Sequence, residues 1–101
     1  MRSYVELYEL LRKILGRDEV YFQPPPTVRM AYPAIVFSES GDHPAYANNK
    51  IYANCKQYEV TLIDKNPNSQ FVADIRNIPY CRYSRKFNAD NLNHFVFEIY
   101  F

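Results

Sequence analysis

Apolar positions recur at spacings of three and four near the start of the chain, at Tyr4, Leu7, Tyr8, Leu11, Ile14 and Leu15, with Glu6, Glu9, Arg12 and Lys13 on the other side. That period predicts an amphipathic helix. Ser3 and Glu6 have the spacing of a capping box, and Gly16 suits the left-handed residue that closes a helix.

Beyond Gly16 the pattern shifts to alternation. Val20-Tyr21-Phe22 reads as a short extended piece, and Pro24 to Pro26 fix φ and lack ladder donors, so they form a stiff spacer. Tyr32-Pro33 leads into Ala34 to Ser40, an apolar run that turns polar as a strand leaves a core. From Gly41 to Ala53 turn formers mix with Tyr46, Ile51 and Tyr52 without a sustained period, which suits a loop that docks on a neighbour. Cys55 to Asp64 alternates again, with Tyr58, Val60 and Leu62 on one face and Glu59, Thr61 and Ile63 on the other, as expected of a central strand. Asn66 to Ser69 gives a turn and a cap. Phe71, Val72, Ile75 and Ile78 then define one stripe of a second helix that stops before Pro79. Tyr80 to Phe101 holds two aromatic-rich strands around an Asn/Asp turn, with Phe101 expected to be tied into the sheet.

The element order is therefore helix, strand, strand, strand, helix, strand, strand. With consecutive strands joined by hairpins, it predicts an α+β fold in which an antiparallel sheet carries both helices on one face. At 101 residues a single domain over 1–101 is expected.

Composition narrows the function classes. Aromatic residues make up 17% of the chain, with ten Tyr, seven Phe and no Trp, which suits either a ring-filled core or a Tyr-rich interface. The net charge of +1 gives no global field to draw in nucleic acid or an anionic membrane. The first residues lack the apolar run of a signal peptide, and no stretch approaches the roughly 18 apolar residues of a membrane span, so a reduced, cytosolic setting without a membrane partner is expected. Cys55 and Cys81 are accordingly expected as free, buried thiols, and neither has metal-ligand spacing to a His or Cys.

Catalytic chemistry finds little footing. His43 lies in the irregular loop and His94 at the start of the last strand, and the spacing pairs neither with a nucleophile, as a small hydrolase or toxin would require. Asp42, Asp64, Asp74 and Asp90 are scattered through turns and helices, and two glycines cannot build a phosphate-binding loop. No catalytic residue, cofactor or metal is expected. One local signature remains, Arg82-Tyr83-Ser84-Arg85-Lys86-Phe87, where basic and aromatic residues alternate as in strands that stack bases and hold phosphates. Such a single-stranded nucleic-acid module needs Arg82, Arg85 and Lys86 to converge with an exposed Tyr83. Alternatively, Tyr83 and Phe87 face different neighbours and the cations form an exposed edge that discourages strand pairing.

Taken together, several short pieces resemble a family. The N-terminal helix ending in Gly16, then Val20-Tyr21-Phe22, Tyr32 to Phe37, Asn49-Lys50-Ile51-Tyr52, the strand from Tyr58 to Lys65 and the closing Asp90 to His94 before Phe-Val-Phe are similar to the tail-terminator or tail-completion proteins of long-tailed bacteriophages. The resemblance spans nearly the whole chain. It implies a non-enzymatic virion protein with an α+β fold, assembled in the bacterial host cytoplasm. It also implies a ring, commonly hexameric, that caps the head-proximal end of the tail tube. The ring would stop tube polymerisation and join the tail-tube protein to the head connector or stopper. Head-side connector or stopper proteins of the same junction have similar small folds and form the alternative.

Ring closure needs two different complementary patches on each subunit. The chain offers the aromatic-polar loop, with Asp42, His43, Tyr46, Asn49, Lys50 and Tyr52, and the C-terminal hairpin, with Arg82, Tyr83 and Arg85.

Overall fold

A computed structural model of the chain describes residues 4–41 and 56–101. The capping residue Ser3, the loop residues Asp42, His43, Tyr46, Asn49, Lys50 and Tyr52, and Cys55 lie outside the described residues.

Helix α1 (Tyr4–Leu15) buries Leu7, Leu11 and Leu15, the centre of the stripe seen in the sequence. Its first ring, Tyr4, stays 47% exposed and stacks on Phe22 with centroids 4.3 Å apart. Gly16 ends the helix at φ +75°, and its N–H donates to the Arg12 carbonyl at 2.8 Å. That left-handed geometry is open to glycine without a Cβ clash.

Five strands follow: β1 (Val20–Phe22), β2 (Ala34–Gly41), β3 (Gln57–Asp64), β4 (Cys81–Ala89) and β5 (Leu92–Tyr100), ordered β1-β2-β3-β5-β4 in one sheet. The second helix, α2 (Phe71–Arg76), lies between β3 and β4 in the chain. The fold is α+β, with both helices on one face of the sheet. No helix of the described residues is long and apolar enough to cross a membrane.

The sheet is mixed rather than wholly antiparallel. β2–β3, β3–β5 and β4–β5 pair antiparallel, whereas β1 joins β2 in parallel. A parallel neighbour requires the chain to travel back along the strand before pairing. The proline-rich segment after Phe22 makes that return, and because β1 has only three residues the distance is about 10 Å. The segment is pinned where Glu19 accepts hydrogen bonds from the Tyr21 hydroxyl and, at 3.3 Å, from the Ala31 N–H. Nor do β3 and β4 form a hairpin. α2 carries the chain over the sheet, and β5 returns between them.

β3 is the middle strand, with Tyr58, Val60 and Leu62 in the core as their alternation requires. Ile35 and Phe37 from β2 and Phe95, Phe97 and Ile99 from β5 meet them, and α1 and Ile75 of α2 close the core from above. Phe37 and Tyr58 continue the ring contacts begun by Tyr4 and Phe22. Phe101 exchanges backbone hydrogen bonds with Lys56 at 2.9 and 3.2 Å and is buried, so this end of the chain is fastened to the sheet. α2 is shorter than its apolar stripe. Ile78 lies past the helix yet remains buried, and Ser69 supports the first turn by accepting the Phe71 N–H at 3.4 Å.

Candidate assembly interface

The β4–β5 hairpin turns on Asp90 and Asn91, whose φ values of 54° and 63° are those of a type I′ turn. This turn fixes the pairing Ala89 to Leu92, Phe87 to His94, Lys86 to Phe95 and Arg85 to Val96. A bulge between Tyr83 and Arg85 then shifts the register, so that Tyr83 opposes Phe97 and Arg82 opposes Glu98. One extra residue in a strand changes which face the following side chains occupy. Here it places Arg82 and Arg85, three positions apart, on the same side.

Cross-strand partners share a face, so the registers run as rows across the sheet. On the helix-free side one row is Ala34, Ile63, His94 and Phe87, the next Val36, Thr61, Val96 and Arg85, and the third Ser38, Glu59, Glu98 and Arg82. The rows change character from small side chains at β2 to cationic and aromatic ones at β4. Phe87, 41% exposed, stacks on His94 with centroids 4.6 Å apart, and the Arg85 guanidinium lies 5.8 Å from the Phe87 centroid. His94 Nδ1 is 3.1 Å from the Leu92 carbonyl, which holds the ring in place. The Arg82 guanidinium bonds the Glu98 carboxylate at 2.5 Å, a contact that offsets the placement of Glu59 directly across from Glu98. Exposed ion pairs of this kind contribute about 0–1 kcal/mol, so the pair orients Arg82 more than it stabilises the fold.

The helix side of β4 is different. Tyr83 is half-buried against Phe97, with centroids 5.3 Å apart, and the Arg76 guanidinium of α2 lies 5.8 Å from its ring centre. Lys86 reaches over Phe95 at 5.1 Å and donates to the Pro67 carbonyl at 3.3 Å. Four residues of the basic-aromatic segment therefore divide, with Arg82 and Arg85 on the helix-free face and Tyr83 and Lys86 on the helix side. They do not converge on one face of the sheet. Tyr83 and Phe87 face different neighbours, and the cations line an edge strand.

Cys81 packs beside the core as a free thiol. Burial pushes its pKa up to about 11, outweighing the opposing pull of Arg76. The thiolate form needed for nucleophilic or redox chemistry is thus scarce at neutral pH.

Reading the sequence for function missed the stacked pair of Phe87 and His94 and the placement of Arg76. The first had a usable signal, because counting outward from a two-residue Asp90-Asn91 turn sets Phe87 opposite His94. The second had none, since α2 meets β4 only through the fold.

Searches of protein-family models, of curated proteins and of solved structures found no match to this chain.

Proposed function

We propose that this chain is a non-enzymatic assembly protein of a long-tailed bacteriophage, a tail terminator that caps the head-proximal end of the tail tube as a ring, commonly hexameric. It would stop tube polymerisation and present the surface that joins the head. The reading rests on the resemblance carried by the sequence pieces named above, and the α+β architecture agrees with it. The same features suit a head-side connector or stopper of that junction.

The observation that supports it most is the unlikeness of the two edges that the sheet has among the described residues. β1 offers three residues and leads into prolines, a short edge poorly suited to further pairing. β4 offers nine residues with three cations and no carboxylate. Two β4 edges meeting about a two-fold axis would lay the basic segment from Arg82 to Lys86 alongside its own copy, and like charges brought close across strands are destabilising. A contact with a different surface of the next subunit avoids this, and head-to-tail contacts of that kind close into a ring where the rotation between subunits closes.

The direct functional test is deletion of the gene from the parent phage. Tails of unregulated length that fail to join filled heads are expected. Normal infectious particles would reject the assignment, and tails of normal length beside unjoined heads would favour the head-side alternative.

A further inference from the structure

We propose that the groove walled by the 67–69 turn, α2 and Phe95 of β5, with Lys86 of β4 at its border, is a docking site for an acidic, extended peptide segment of a partner protein. The groove measures about 680 Å³ and is lined on the helix side by Val72, Ala73, Arg76 and Asn77, with Phe95 of β5 contributing to its wall. None of its lining residues among those described carries a carboxylate. Lys86 borders it, since its ammonium group lies over Phe95 and bonds the carbonyl of Pro67, another lining residue.

Two features define the occupant. Arg76 and Lys86 are both exposed, and among the described residues neither has a carboxylate partner. Each is instead held against an aromatic ring, which fixes its position while leaving its charge uncompensated. Carboxylates on the incoming chain would meet these cations in charge-assisted hydrogen bonds, and small apolar side chains would meet Val72, Ala73 and Phe95. The second feature is the edge itself. Lys86 brings the groove to β4, which has no strand on its outer side among the described residues. An extended segment leaving the groove can therefore add to the sheet, with backbone pairing supplying affinity and alternate side chains supplying specificity. The groove is on the opposite side of the sheet from Arg82, Arg85 and Phe87, although Lys86 and the β4 edge also belong to the surface considered above for the head-to-tail contact.

The test is fluorescence anisotropy of the full chain with a fluorescein-labelled peptide of alternating Glu and Val, against a peptide with Lys in place of Glu and against single-stranded oligothymidylate. The acidic peptide should bind and the basic one should not. Arg76→Glu and Lys86→Glu should each weaken binding by about tenfold or more. Ala73→Glu, on the groove face of α2, should abolish it, with unchanged far-ultraviolet circular dichroism confirming that the variants are folded. Absence of acidic-peptide binding up to millimolar concentration, or binding indifferent to all three substitutions, would overturn the proposal. So would oligothymidylate binding that is lost in the same variants while the peptide fails to bind, which would make the groove a phosphate-backbone site.

Discussion

Leu62 is fully buried on the middle strand, between Ile35 and Phe95 of its neighbours. Truncation to Ala removes its packing from both, and Leu62→Ala should lower the unfolding free energy by about 2–5 kcal/mol, read from denaturant midpoints at constant m. Cys81 makes a second residue-scale prediction. With its thiol pushed up to about 11, alkylation by iodoacetamide near neutral pH should be far slower in the native protein than in the unfolded chain. Equal rates would show that the thiol is not shielded. Glu19 supplies the third. The Tyr21 hydroxyl first, and the Ala31 N–H second, hold its carboxyl below the ordinary carboxylate range. A lowered folded-state pKa gives stability that is present above the unfolded pKa and is lost as pH falls through the folded value. Tyr21→Phe should therefore move the Glu19 titration, followed by carboxyl-carbon NMR, upward toward the ordinary range.

At the scale of elements, the hairpin turn tests the register that builds the candidate interface. Asn91 adopts φ 63°, a region tolerated by Asn and poorly by β-branched residues. Asn91→Val should cost about 1–2 kcal/mol, whereas Asn91→Gly should be neutral or stabilising, both read from thermal unfolding. Period alone revealed α1 and β3, because Leu7, Leu11 and Leu15 and then Tyr58, Val60 and Leu62 meet one continuous core. The parallel pairing of β1 was not legible. A three-residue strand has no periodicity to state its partner, and a proline tract restricts local dihedrals without specifying the direction in which the chain returns. The bulge at Ser84 was equally hidden, since neither Tyr83 nor Arg85 carries a local sign of an inserted residue. It decided which faces the basic segment would occupy.

For the whole molecule, the α+β class and the placement of both helices on one face follow from the apolar stripes, whereas the surfaces that meet partners depend on sheet order. Arg82, Tyr83, Arg85 and Lys86 are contiguous in sequence, yet the fold divides them between two faces and joins Arg76 to Tyr83 and His94 to Phe87. If unlike surfaces drive head-to-tail assembly of this chain, its oligomeric state in solution is constrained. Light scattering after gel filtration at physiological salt reads that state as a solution mass. A single chain that closes only on the tube end, or a discrete closed ring, is the expected result. A stable dimer built on a two-fold β4–β4 contact would rule out head-to-tail assembly.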